Sequence, residues 1–197
     1  YILDDYSPLR ILSKELFDST AYIFPIRDAL MYNMTRGRYG QGSMPYYGKN
    51  PDFGAVFTYY VKEAPKTLKQ KRKAEEKKLA KDKQPIPIPS MEELRAEKNE
   101  IKPYLIFTIT DEDGNIIRKI HKSYSSGLQR MRWNLRYPAM SSVRLSDNKY
   151  NPLSNDRDGM AVMPGKYYVS LAQWVDGEVT ELVAPVEFNT SLLNNVT

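Results

Sequence analysis

Tyr104-Leu105-Ile106-Phe107-Thr108-Ile109-Thr110, then Asp111-Glu112-Asp113-Gly114-Asn115, then Ile116-Ile117-Arg118-Lys119-Ile120-His121 is the stretch that decides the fold. Side chains alternate across an extended chain, so Leu105, Phe107 and Ile109 share one face. Asp113-Gly114 supplies a pair for which φ > 0 is cheap, and the second run returns beside the first as a hairpin. The same period of two recurs on both sides of it. Upstream, Ala55, Phe57, Tyr59 and Val61 share a face opposite Val56, Thr58 and Tyr60. Downstream, within 127–136, Met131, Trp133 and Leu135 oppose Arg130, Arg132 and Asn134. Pro164-Gly165 turns into 166–175, with Tyr167, Val169 and Leu171 inward, and Asp176-Gly177 opens a last hairpin to 179–188. Alternating strands joined by such turns, with no βαβ rhythm, predict a mainly β chain folded as an antiparallel sandwich.

A long excursion separates the first of these strands from the hairpin. The run 66–83, KTLKQKRKAEEKKLAKDK, holds nine Lys or Arg against three Asp or Glu. Leu68 and Leu79 are its only large apolar residues, too few for a buried stripe, so a solvated helix standing off the body is expected. Gln84-Pro85-Ile86-Pro87-Ile88-Pro89 follows and is expected to be stiff and extended, because proline fixes its own φ and biases the preceding residue to β or polyproline geometry. Ser90 with Glu93 three residues on is a capping box for a second helix to about Glu100, and Pro103 ends the excursion.

Residues 1–50 read as irregular: a turn at Ser7-Pro8, a short helix over 9–17 from apolar residues at 9, 12, 16 and 17, and a glycine-rich loop at 36–42. Another loop, rich in Ser, Asn, Asp and Gly, covers roughly 138–163.

The net charge of the 197-residue chain is +5. Because the basic run alone carries +6, the rest is close to neutral, and any surface seeking an acidic partner must be that run. With no cysteine, disulfides, thiolate metal sites and cysteine nucleophiles are excluded. The single histidine, His121, rules out a catalytic triad or multi-histidine metal site built within this chain, and reads as a strand surface residue. No apolar run approaches the roughly 20 residues that span a bilayer. The start at Tyr1-Ile2-Leu3-Asp4-Asp5 reads as the middle of a longer protein.

Several of these stretches together resemble one family. Ile2-Leu3-Asp4-Asp5-Tyr6-Ser7-Pro8-Leu9-Arg10 is similar to the segment that closes the β-propeller of bacterial sortilin-like proteins with BNR-type repeats, often labelled glycosyl hydrolases. Phe24-Pro25-Ile26-Arg27-Asp28-Ala29, Asn50-Pro51-Asp52-Phe53-Gly54-Ala55 with Tyr59-Tyr60-Val61-Lys62, Ser90-Met91-Glu92-Glu93-Leu94-Arg95-Ala96-Glu97, Trp133-Asn134-Leu135-Arg136-Tyr137-Pro138 and Pro164-Gly165-Lys166-Tyr167-Tyr168-Val169-Ser170-Leu171 follow in the family's order. The chain departs from it with Asn134 in place of an aspartate and Tyr1 in place of a tryptophan. The hairpin and tryptophan strand also resemble the immunoglobulin-like domain of flagellar hook-scaffolding proteins.

The resemblance implies an immunoglobulin-like or fibronectin-III-like antiparallel sandwich over 51–190 with a lysine-rich helical insertion at 63–103. It further implies a propeller-closing segment and connector at 1–50, and at 191–197 the start of a linker to a C-terminal region. It implies export by Bacteroidetes and related bacteria, to the periplasm, the outer-membrane surface or the medium. The expected partners are a β-propeller of the same polypeptide and a protein partner or larger envelope assembly, with neither nucleic acid nor a cofactor, and the expected role is a non-catalytic structural and interaction module.

Sharper chemistry is weighed against this. A glycosidase needs two carboxylates across a cleft, and Asp4-Asp5, adjacent on a strand, point to opposite faces. Asp111-Glu112-Asp113-Gly114 has the start of a calcium loop without its later ligands, and Asn155-Asp156-Arg157-Asp158-Gly159 is a second loop of that kind. Trp133 shares its face with Met131 and Leu135 and belongs to the core. Trp174 lies opposite Tyr167, Val169 and Leu171 and is the aromatic left to face solvent, which keeps open a carbohydrate-binding accessory domain of a secreted glycosidase. Lys71, Arg72 and Lys73 are the partner-contact candidates of the basic run, and Tyr46 and Tyr47 those of the first fifty residues. Nine cations on one helix could neutralise phosphates, but the run lacks interleaved aromatics, and Glu75 and Glu76 can pair with its lysines.

Overall fold

The computed structural model describes residues 5–32, 52–140, 142, 151–154 and 157–193. Two one-turn helices come first, α1 (Ser7–Ile11) and α2 (Lys14–Asp18), where one helix over 9–17 was expected. The chain breaks between them because Ser13 is extended (φ −129°) and its hydroxyl accepts from the Leu16 N–H, making Ser13 the cap of a new helix. Then come β1 (Ala21–Ile23), β2 (Ala29–Met31), β3 (Ala55–Val61), α3 (Leu68–Lys81), α4 (Met91–Asn99), β4 (Tyr104–Thr110), β5 (Ile116–Ser123), β6 (Gly127–Trp133), β7 (Arg136–Pro138), β8 (Asp158–Ala161), β9 (Gly165–Val175) and β10 (Glu178–Leu192).

The described strands form a sheet β1-β3-β6, a sheet β2-β10-β9-β4-β5 and a small ribbon β7-β8. The two larger sheets face each other through their apolar sides. Phe57 and Tyr59 of β3 meet Phe188 of β10 and Phe107 of β4 edge-on at 5.2 and 5.0 Å between ring centres, and Trp133 meets Tyr167 of β9 at 5.7 Å. The alternation in the sequence is the alternation in the fold: Ala55, Phe57, Tyr59 and Val61 are buried, as are Leu105, Phe107 and Ile109, and Tyr167, Val169 and Leu171.

Three features depart from the expectation of a purely antiparallel sandwich starting at 51. β1 pairs with β3, and β2 pairs in parallel with β10 through Thr190↔Ala29 to Leu192↔Met31, so residues from the expected irregular connector extend both sheets. The final strand likewise runs past the expected boundary at 190. Within the expected 138–163 loop, β8 pairs with β7 and Val162 is buried. These strands are three or four residues long, too short for a period of two to stand out.

Turns follow their residues. Val175 pairs with Glu178 across Asp176 (φ 49°) and Gly177 (φ 93°), the doubly positive pattern of a two-residue turn that matches strand twist. The 111–115 turn is wider. The Asp111 carboxylate accepts from the N–H groups of Asp113 and Asn115 and from the Asn115 side-chain amide, so it serves its own loop, as the hairpin reading of this acidic stretch expects. The second of two register shifts on β10, between Val183 and Val186, contains Pro185, which has no N–H to give the ladder.

The Tyr59 hydroxyl is buried without a hydrogen bond among the described residues, and burial pushes its pKa up to about 12. An unpaired buried hydroxyl forfeits its hydration, so Tyr59→Phe is expected to raise stability by about 1 kcal/mol, read from the urea midpoint. A fall in the midpoint would show that the hydroxyl is satisfied.

Candidate functional site

The excursion between β3 and β4 is a two-helix arm whose construction follows from its caps. Thr67 and Gln70 cap α3 reciprocally, and Ser90 and Glu93 do the same for α4, each hydroxyl accepting from an N–H three residues on. The helices are then tied together. Both Glu100 carboxylate oxygens accept from the Leu68 N–H at 3.0 Å, placing negative charge on the positive end of α3. Arg72 donates through Nε and Nη2 to Glu97 at 2.5 and 3.0 Å, a two-point bond, and through Nη1 to Glu76. No residue of either helix is buried.

These ties reassign the basic triplet. Lys71 and Lys73 point into solvent, whereas the Arg72 guanidinium is committed to Glu97 and Glu76 and acts as the arm's internal clamp. Hydrogen bonding from Arg72 holds the Glu97 carboxyl below the usual glutamate range, outweighing the opposing effect of desolvation. The sign follows: a depressed folded pKa gives stability that is present above the ordinary glutamate pKa and lost as pH falls through the lowered value. The helical circular-dichroism signal is therefore expected to drop on acidification below about pH 4, and Glu97→Gln to remove that part of the drop while lowering the signal at neutral pH.

Between the helices and on the first turn of α4 the arm presents apolar residues, and of these the sequence reading treated 84–89 only as a stiff connector. Ile86 is 49%, Ile88 93%, Met91 67% and Leu94 38% exposed. At the base, an open cleft of about 470 Å³ lies among Pro65, Thr67, Lys102, Pro103, Tyr124 and Leu153.

A second surface lies beside the three-stranded sheet. A cleft of about 620 Å³ is lined, among the described residues, by Arg27, Arg130, Arg132, Asp5, Asp28, Asp52, Leu30, Tyr32 and Val56. Its charges are mutually engaged: Arg130 donates to the Asp5 carbonyl at 2.8 Å and Arg132 lies 3.7 Å from Asp52. Burial works to raise the Asp5 pKa, but hydrogen bonds from Ser7 and the charges of Arg27 and Arg130 prevail and hold it low. A third feature is apolar: Tyr6, Leu9, Ile11 and Phe17, in and beside α1 and α2, are 41 to 56% exposed.

Trp174 is half-buried rather than free. Its ring stacks on Tyr104 at 5.1 Å with an interplanar angle of 15°, so one face is already covered. Tyr104 sits in turn 5.1 Å from the His121 ring, whose Nδ1 is 2.7 Å from the Pro152 carbonyl oxygen. His121 is thus half-buried too. Cross-strand pairing of Tyr104 with Trp174 creates this stack, a contact that one strand's alternation cannot reveal. Tyr46, Tyr47, Asp4, Asn155 and Asp156 lie outside the described residues. Among the described residues no group of three or more His, Asp or Glu is placed to hold a metal ion, and no helix is long and apolar enough to cross a membrane. Comparison with protein-family models, curated proteins and solved structures returns no match for this chain.

Proposed function

We propose that the chain is a structural and interaction module of an exported, sortilin-like protein. Its immunoglobulin-like sandwich packs against a β-propeller of the same polypeptide, and its helical insertion is presented for binding a protein or peptide. The observation that carries this reading is the apolar surface of the first turns. Tyr6, Leu9, Ile11 and Phe17 are large, exposed and close in sequence, in and beside two short helices outside both sheets, a grouping that a neighbouring domain would cover. The mixed-charge cleft beside it offers a polar rim to the same contact.

Hydrogen exchange of this chain alone and within the longer polypeptide tests the reading. Residues 6–17 are expected to exchange more slowly in the longer protein, and Leu9→Asp with Phe17→Asp to abolish that protection. Equal exchange in the two contexts would refute the packing.

A further inference from the structure

The arm's extended stretch carries an alternation that gives its backbone two unlike edges. In an extended chain the N–H and C=O of one residue point to the same edge and those of the next residue to the other. Pro85, Pro87 and Pro89 therefore put three donor-free positions on one edge, and Ile86 and Ile88 put their N–H and C=O groups on the opposite one. Each Ile precedes a proline and is held in the extended region, so the segment keeps this form without a partner. Among the described residues Ile86 and Ile88 make no main-chain hydrogen bond, although the neighbouring Gln84 N–H bonds to the Leu79 carbonyl. Ile88 is 93% exposed, and the nearby end of α3 adds Lys77, Lys78 and Lys81, with Lys83 just beyond.

We propose that residues 84–89 are a one-sided docking strand, which adds through the Ile86–Ile88 edge to the open sheet edge of an acidic protein. The partner's edge strand would pair with the isoleucine amides, an apolar groove would take the two side chains, and carboxylates on its rim would face the four lysines. The proline edge, lacking donors, stops a further strand from adding and limits the assembly to one partner. An anionic membrane offers the same charge but fits less well, because unpaired amides of an extended chain cannot enter hydrocarbon. Pre-set φ angles lower the ordering cost of such a strand.

The proposal rests on reading the chain as an interaction module, yet it uses the arm and not the 6–17 surface, so the two fail separately. A displayed library of small β-sandwich domains, randomised along one edge strand and its flanks, is selected on the whole immobilised chain. Enrichment of edges rich in Asp and Glu with alternating apolar residues is expected, and Ile88→Asp should weaken those binders by roughly tenfold or more. Ile88 is almost fully exposed, so that variant leaves the fold intact, which the thermal midpoint checks. Ile86→Pro, which removes the amide and keeps the extended form, should weaken binding more than Ile86→Ala. Equal effects of the two would overturn strand pairing, as would enrichment of aromatic edges without carboxylates. Binders indifferent to Ile88→Asp, or binding of the chain to phosphatidylglycerol vesicles that Ile88→Asp abolishes, would overturn the proposal altogether.

Discussion

Trp133→Ala is expected to destabilise the protein by about 3–5 kcal/mol, enough to consume much of a typical domain's stability. The indole is fully buried at the end of β6, pairs across the sheet with Ala55, and packs against Tyr167 and Phe188 of the opposite sheet. Its Nε1 donates to the Arg136 carbonyl at 3.1 Å, holding the chain where β6 gives way to β7. Alanine leaves a cavity between the sheets and removes this bond, although the Arg136 carbonyl keeps the one it accepts from Arg118 at 3.2 Å. Urea denaturation should show the midpoint falling sharply with little change in slope, whereas Trp174→Ala, on the outer side of β9, should cost far less. Similar losses for the two would mean that the inner faces do not form the main core.

The second large effect concerns a backbone approach. Gly54 has φ +110°, and a Cβ built on it would stand 2.0 Å from the Trp133 carbonyl oxygen. That contact is with main chain on the paired strand, which cannot move without opening the β3-β6 ladder. Positive φ in this region adds strain of about 1–3 kcal/mol for any other residue. Gly54→Ala should therefore lower stability by several kcal/mol in total. Gly114→Ala, at φ +82° with nothing within 4 Å of a built Cβ, carries the φ strain alone and is the control. Near-equal losses for the two alanines would show that the close approach at Gly54 relaxes freely.

The long strands were legible because each carries its own core face in alternation. β3, β4 and β9 needed no knowledge of their neighbours, and the capping box at Ser90 and Glu93 marked α4. What the sequence hid lies between distant residues. β1 and β2 show no pattern of their own, and their place comes from the edges that β3 and β10 leave open. Arg72 looked like one more solvated cation until α4 brought Glu97 beside it, and Trp174 looked free until Tyr104 came under it. In the candidate site, the stiffness of 84–89 could be read from its prolines, but the exposure of Ile86 and Ile88 depended on how the arm closes.

That closure also bears on how the sandwich assembles. β3 and β4 lie in opposite sheets, and residues 62–103 must loop back before their faces can meet. The Glu100 bond to Leu68 and the Arg72 clamp join the two limbs of the excursion near its base, leaving only 62–67 and 101–103 outside the staple. Shortening the effective loop by about two doublings lowers the entropy of bringing its ends together by roughly 1.2 kcal/mol. Two capped helices can form in microseconds, before any strand pairing. The arm thus converts a distant encounter between two strands into a nearly local one, and severing the clamp should slow folding more than its surface position suggests.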